Sequence, residues 1–270
     1  QWKESLGCYD GVPNGFDLVG RQKKYFGRSF FEIGDKKERR EFADHIFNNV
    51  LPEIKKNLQR SFGLEENKDA FVVAMLHRVD SQKGHQLLLE YVWDKYNPDV
   101  LVTKGGWFEE MGTTFKLNET QKKLLENSHQ ERLRALEVIC LLVPELQFII
   151  VGRADEGYFK EGFIDIKGKF PDKIRFIPYY IPFADPRYDF IYTGPTAFDM
   201  PSFFEPGGLS NQEAAASGIV RHISRRDGLQ DGEIKISPLA EGFVPFNPVA
   251  WTRSFLGIYD VWKNDPVLWD

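Results

Sequence analysis

The sequence has few residues that could form disulfides or bind a metal. Its 270 residues include two cysteines, Cys8 and Cys140, and neither belongs to a Cys-x-x-Cys pair. The five histidines show no spacing typical of metal ligands. This scarcity excludes a disulfide-based scaffold and a recognisable zinc motif. We therefore expect two free thiols in a reducing compartment, which indicates the cytoplasm, and no metal site.

Long apolar runs and a strong charge of one sign are also missing. The longest apolar runs, at 138–143 and 148–151, are far too short to span a bilayer. The formal net charge of −5 argues against binding to a nucleic-acid backbone, although a few local cations would suffice for a small phosphorylated ligand. The chain begins neither with Met nor with a signal peptide, so we expect a fragment of a longer protein.

Short apolar segments alternate with helical segments along the chain. Runs rich in apolar and β-branched residues predict strands, and a spacing of three to four between apolar residues predicts helices. The predicted strands are 70–76, 147–151, 173–177, 197–200 and 219–223. The predicted helices are 35–59 (with a possible break at Pro52), 85–95, about 118–142, 210–217 and 249–263, and residues 1–20 are expected to form a loop. This order predicts an α/β fold, a Rossmann-like parallel sheet with helices on both faces.

Two cations follow the first predicted strand. In parallel sheets the ligand lies beyond the carboxyl ends of the strands. Arg78 and Lys83 stand there in the segment HRVDSQKG (77–84), just before a predicted helix. Such cations beside a helix N-terminus form a site for a diphosphate, and Gly84 would let the backbone approach it closely. Two solvated surface cations would have the same spacing, so both interpretations stay open.

Two carboxylates, Glu205 and Glu213, stand eight apart after the fourth predicted strand. A carboxylate there can accept hydrogen bonds from sugar hydroxyls and stabilise positive charge that develops at an anomeric carbon. Between them, Gly207 and Gly208 would leave their N–H groups open to a ligand at the start of the next helix. The alternative is that each Glu only complements a helix dipole.

Other candidates are less specific. The turn GRADEG (152–157) lacks the G-x-G-x-x-G spacing, which argues against a nicotinamide enzyme. Tyr179 and Tyr180 follow the third predicted strand, where a ring could stack on a base or simply pack against the protein. The segment KGG (104–106) could bind phosphate or form a plain turn. Residues 97–134, which include it, are long for a strand–helix connection and are predicted to be an insertion.

Six segments occur in one order across nearly the whole chain. They are GVPNGFD (11–17), KKNLQRSFGL (55–64), HRVDSQKG followed by LLL (77–89), FDMPSFFEPGGL (198–209), EGFVPF (241–246) and DPVLW (265–269). Taken in this order, they resemble the C-terminal domain of glycogen and starch synthases, which are retaining glycosyltransferases with two facing Rossmann-like domains (the GT-B type). Each segment is weak alone, and their common order is the specific feature. The family's Cys after Glu-Pro is Gly207 here, and its Thr-Gly-Gly-Leu loop is RDGL (226–229).

The resemblance implies that residues 1–270 form one nucleotide-sugar-binding domain and that the N-terminal acceptor domain is absent, so that this fragment alone would be inactive. The parent enzyme would be a hexosyltransferase that transfers glucose, with retention, from ADP-glucose or UDP-glucose to an α-1,4-glucan. No metal or cofactor would be needed, because Arg78 and Lys83 would offset the charge of the leaving diphosphate.

The resemblance also implies roles for single residues. Glu205 would contact the transferred sugar, Glu213 the ribose and Tyr179 the base. The implied catalytic residues are Glu205, Arg78 and Lys83. The implied donor-binding residues are Arg78, Lys83, Gly84, Tyr179, Glu205, Pro206, Gly207, Gly208, Leu209 and Glu213. Two other functions remain open at this point, a nucleotide-sugar epimerase on the same scaffold and a non-catalytic module that binds nucleotide or glucan.

Overall fold

The computed structural model describes residues 17–96, 117–225, 229, 240–243 and 246–264. Several segments predicted above fall outside these residues and are neither confirmed nor contradicted. They are residues 11–16 of GVPNGFD, the segment KGG (104–106) with most of the insertion, residues 226–228 of RDGL, and DPVLW (265–269).

The described strands are β1 (Phe71–Leu76), β2 (Tyr91–Asp94), β3 (Arg132–Arg134), β4 (Leu146–Val151), β5 (Ile174–Ile177), β6 (Ala197–Met200), β7 (Val220–Ser224) and β8 (Ala240–Phe243). The described α-helices are α1 (Leu18–Phe26), α2 (Lys36–His45), α3 (Leu51–Ser61), α4 (His85–Leu89), α5 (Glu119–Glu126), α6 (Ala135–Leu142), α7 (Gly157–Lys169), α8 (Pro186–Thr193), α9 (Leu209–Ala216) and α10 (Pro248–Asn264).

Six of these strands form one parallel sheet in the order β5-β4-β1-β6-β7-β8. Counted within that sheet alone, the order is 3-2-1-4-5-6, which is the order of the Rossmann fold. The predicted fold class is therefore confirmed. Because the strand order reverses between β1 and β6, the crevice at their carboxyl ends is where such folds bind ligands.

The central strands are apolar on both faces because helices cover both faces of the sheet. The side chains of β1 and β4 are all buried, as the apolar runs FVVAML and FIIV predict. Gln147 of β4 is the polar exception, and its side chain accepts a hydrogen bond from Gln59 at 2.8 Å. One face packs on α6, α7 and α10 through side chains such as Phe148, Phe163 and Phe255. The other packs on α3, α8 and α9 through Leu58, Ile191 and Ala214. The sheet is thereby fixed as a rigid platform for the loops at its carboxyl edge.

The predicted helix 35–59 is confirmed, with one irregularity. It consists of α2, a π-helical segment (Ile46–Val50) and α3 in direct succession. Pro52 lies in the first turn of α3, directly after the π-helical segment. A proline is tolerated there because a first-turn N–H has no partner within its own helix.

Three helix and loop predictions were wrong in part. The helix predicted over 85–95 ends at Leu89, and Tyr91–Asp94 pairs with β3 in an antiparallel ribbon, because Tyr, Val and Trp favour a strand over a helix. The single helix predicted over 118–142 is divided into α5, β3 and α6. The predicted loop 1–20 is replaced from Leu18 onward by α1, which Asp17 caps by accepting a hydrogen bond from the Gly20 N–H at 2.8 Å.

No described helix is long and apolar enough to cross a membrane.

Candidate functional site

The loops that follow β1 and β6 meet at the reversal of strand order. The Phe203 N–H donates to the Gln82 carbonyl at 2.8 Å, and the Gln82 side-chain amide donates to the Phe204 carbonyl at 3.4 Å. Gly84 has a φ of 79°, and a Cβ on it would lie 1.8 Å from the carbonyl oxygen of Pro201. Glycine is therefore required at 84 for contact between the two loops, a reason that the sequence did not suggest.

This contact brings Lys83 and Glu205 together. The Lys83 ammonium forms an ion pair with Glu205 Oε2, and the two side chains are only 15% and 10% exposed. Glu205 Oε1 accepts a hydrogen bond from the Gly208 N–H at 3.1 Å. The Lys83 N–H is held by Asp80 Oδ1 at 2.9 Å. The result is a carboxylate and an ammonium fixed side by side at the carboxyl edge of the sheet, mostly buried and paired with each other.

Arg78, the other predicted cation, lies nearer the surface. Its side chain is 65% exposed, with Nη2 3.4 Å from Asp80 Oδ2 and 3.1 Å from Gln82 Oε1. Such an exposed guanidinium keeps most of its donors for a ligand. Asp80 and Gln82 were not predicted as site residues, although both stand between the two predicted cations. Their roles depend on a loop geometry that residue types do not reveal.

The segment from Pro206 to Leu209 differs from the prediction in one respect. Gly208 has a φ of 56° and stands directly before α9, but its N–H donates to Glu205 and is not open to a ligand in this structure. The Gly207 carbonyl accepts a hydrogen bond from the Gln212 side chain at 2.9 Å, which holds the loop against the first turn of the helix. Leu209 is 44% exposed.

The other two predicted residues lie apart from the Lys83–Glu205 pair. Tyr179 follows β5, two strands away from β1, and is exposed. Glu213 is buried on α9, and its Oε1 is 2.8 Å from Arg21 Nη2 of helix α1. Burial raises the pKa of Glu213, and Arg21 acts in the opposite direction. Arg21 was not predicted, because no short-range motif links residues 192 positions apart.

Two histidines lie directly behind the loop that carries the cations. The rings of His77 and His85 are 4.8 Å apart, and His85 also packs edge-on against Phe159 and Phe163. Burial lowers the pKa of His77 to about 4, and Lys83 adds to the effect. Burial likewise lowers the pKa of His85 well below its usual range, with His77 adding to it. Both rings are therefore neutral at physiological pH.

The buried neutral His85 predicts a loss of stability in mild acid. The unfolded chain binds a proton below about pH 6.5, which the folded chain does not take up until its lower pKa is reached. The stability contributed by the neutral ring is therefore complete above about pH 6.5 and is lost as the pH falls toward the folded-state pKa. Urea titrations at several pH values measure how the free energy of unfolding depends on pH. Between pH 6 and 5 we expect this slope to be smaller in His85→Gln than in the wild type by about 1.4 kcal/mol per pH unit.

His45→Gln, at an exposed histidine of α2, is the matched control for the loss of one imidazole. Glutamine suits position 85 because its amide can still donate to the Asp80 carbonyl, which is 3.1 Å from His85 Nδ1. Identical slopes for the wild type and His85→Gln would contradict the prediction.

Comparisons with known proteins show which proteins the chain is similar to. No protein-family model matches the chain. A curated glycogen synthase from Ligilactobacillus salivarius (strain UCC118) is 27% identical over 203 residues, which cover 75% of this chain and 30% of the relative. One from Anoxybacillus flavithermus (strain DSM 21510 / WK1) is 26% identical over 244 residues, covering 82% and 50% respectively. By sequence, the chain is similar to glycogen synthases.

The chain spans between about a third and a half of the length of those relatives. Among solved structures, the catalytic domain of starch synthase IV from Arabidopsis thaliana superposes with a TM-score of 0.54 at 18% identity, over 82% of this chain and 37% of that one. At such an identity the likeness supports the fold. Among the described residues, no group of three or more His, Cys, Asp or Glu side chains is placed to hold a metal ion.

Proposed function

We propose that this chain is the nucleotide-sugar-binding domain of a retaining glycosyltransferase that transfers glucose from ADP-glucose or UDP-glucose to an α-1,4-glucan. The observation that carries the proposal is the Lys83–Glu205 pair at the reversal of strand order, formed by the two loops that hold the most specific motifs. The names of the curated relatives support it, and the starch synthase IV structure contains ADP and acarbose. A cytoplasmic location is proposed with it, from the scarcity of cysteine.

In the proposed reaction, Lys83 and Arg78 bind the diphosphate and offset the negative charge that grows on it as the glycosidic bond breaks. Arg78 provides a planar fork for two phosphate oxygens, and Lys83 a compact point charge. Glu205 accepts hydrogen bonds from the sugar hydroxyls and stabilises the positive charge at the anomeric carbon. Since Lys83 is now paired with Glu205, donor binding must place the diphosphate and the sugar on either side of this pair.

The relatives' name favours this function over an epimerase or a non-catalytic module. An epimerase would release an altered sugar nucleotide without any acceptor. A binding module would bind nucleotide or glucan without turnover, even with an acceptor domain supplied. Chromatography of the products formed with and without a glucan primer separates the three, once the chain is joined to such a domain.

Calorimetric titration of the 270-residue chain with ADP, UDP, ADP-glucose and UDP-glucose tests the donor site directly. We expect binding of one nucleotide family, weakened by about 1–3 kcal/mol in Arg78→Ala because a charge-assisted hydrogen bond is lost. Arg60→Ala, which removes an exposed arginine of α3 paired with Glu66, is the matched control and should bind as the wild type does. Binding unaffected by Arg78→Ala would remove Arg78 from the proposed site.

A further inference from the structure

Helix α1 is docked onto α9, which carries Glu213. The Gln22 side-chain amide donates to the Ala216 carbonyl at 3.2 Å, and Gln22 Oε1 accepts hydrogen bonds from the Ser29 hydroxyl and the Phe30 N–H at 2.8 and 3.1 Å. Lys24 adds an exposed ion pair with Asp189 of α8 at 2.6 Å. These contacts place one face of α1 directly over the carboxylate of Glu213.

Arg21 forms an ion pair with that carboxylate. Its Nη2 lies 2.8 Å from Glu213 Oε1, and the Glu213 side chain is only 9% exposed. Oε2, the other oxygen, is inaccessible to solvent and has no hydrogen-bond partner in the structure. A buried acceptor without a donor destabilises the folded protein, so a further hydrogen bond to Oε2 would be favourable. Oε1 is paired with Arg21 and Oε2 is inaccessible, so neither oxygen is open to a ligand hydroxyl in this structure.

We infer that α1 acts as a latch: it blocks the ribose end of the donor site, and the Arg21–Glu213 ion pair holds it in the blocking position. This inference rests on the proposed function and on the ribose contact that the family resemblance implies for Glu213. Release of Arg21 would expose both oxygens of Glu213, and the ribose hydroxyls would then supply the donors that Oε2 lacks. The affinity for the nucleotide would be reduced by the fraction of molecules in which the latch is closed.

The latch predicts that substitutions of Arg21 and of Glu213 change the affinity for nucleotide in opposite directions. Arg21→Gln should tighten ADP or UDP binding roughly fivefold, because less of the protein is held closed. Glu213→Gln should release the helix too, yet weaken binding, because a charged acceptor for the ribose is lost. In the double variant, Arg21→Gln should give no gain over Glu213→Gln alone, since the arginine acts only through that carboxylate. Calorimetry on the full 270-residue chain measures all four proteins.

Amide hydrogen exchange by mass spectrometry follows the latch itself. Exchange in 18–26 should rise in Arg21→Gln, in Glu213→Gln and in the wild type on addition of nucleotide, while 71–76 of the core stays protected and shows that each variant is folded. Lys24→Gln, which breaks the exposed ion pair on the same helix, is the matched control and should have little effect on nucleotide affinity.

Four outcomes would overturn the inference. Unchanged exchange of α1 in both single variants, or weaker nucleotide binding by Arg21→Gln, would show that Arg21 only anchors the helix or supports Glu213. If nucleotide binds to neither the wild type nor any variant, the proposed function fails and the latch fails with it. Binding that is insensitive to Arg21 overturns the latch alone.

Discussion

Replacement of Lys83 by alanine is expected to abolish measurable nucleotide binding and to destabilise the fold. The ammonium is the less exposed of the two predicted diphosphate ligands, and its removal leaves the Glu205 carboxylate, 10% exposed, without its cation. Loss of one partner from a buried ion pair costs about 3–5 kcal/mol, and we expect about 3 because this pair keeps some contact with water. Urea unfolding measures the stability, and calorimetry with ADP and UDP measures the binding.

A second substitution separates the two effects. In Lys83→Ala/Glu205→Gln the orphaned charge is gone, so most of the lost stability should return while nucleotide binding stays absent. Lys56→Ala, which breaks an exposed ion pair with Glu53, is the control and should change stability by less than about 0.5 kcal/mol. Full nucleotide affinity in a stable Lys83→Ala protein would refute the proposed role of Lys83.

The largest loss of stability is expected from Trp251→Ala. Trp251 is completely buried on α10, and its indole N–H donates to both carboxylate oxygens of Asp199, at 3.2 and 3.3 Å. Asp199 is itself completely buried and lies 2.9 Å from His222 Nδ1 on the neighbouring strand. The alanine substitution removes a large packed ring, and it also removes a hydrogen-bond donor to the buried Asp199 carboxylate. We therefore expect the free energy of unfolding, measured in urea, to fall by about 4–5 kcal/mol.

Trp251→Phe tests whether the hydrogen bond contributes to that loss. It keeps most of the ring contact with Phe255, whose centroid is 5.3 Å away, but has no N–H for Asp199. We expect it to cost about 2 kcal/mol, since a hydrogen bond to a charged group is lost in a dry environment. A cost below about 0.5 kcal/mol would show that His222 alone satisfies the Asp199 carboxylate.

The Asp199–His222–Trp251 cluster stands directly under the candidate site. Asp199 is the third residue of β6, two positions before Pro201, whose carbonyl faces Gly84. The cluster joins β6, β7 and α10, so it fixes the strand from which the Glu205 loop departs. Trp251→Ala and Trp251→Phe should therefore also weaken nucleotide binding. The effect would be indirect, because it would come from displacement of the loop that carries Glu205.

The local sequence predicted the strands better than the connections. Continuous apolar segments such as 71–76 and 148–151 have to be buried on both faces, and this requirement identifies central strands of a parallel sheet. Helices α7 and α8 were not predicted, because α7 contains two internal glycines and both have a weakly apolar face. The ribbon of β2 and β3 was missed because pairing across an insertion depends on a partner far along the chain.

The sequence by itself determined the α/β class, five of the six strands of the parallel sheet and the loops that carry the candidate residues, because apolar periodicity and turn residues act over short distances. Only the tertiary structure decided which charges became partners. Lys83 and Glu205 are 122 residues apart, and Arg21 and Glu213 are 192 apart. The strand order brings the first pair together, and the docking of α1 on α9 brings the second. Burial then decides which of these charges a ligand can reach, and no local pattern of residues encodes it.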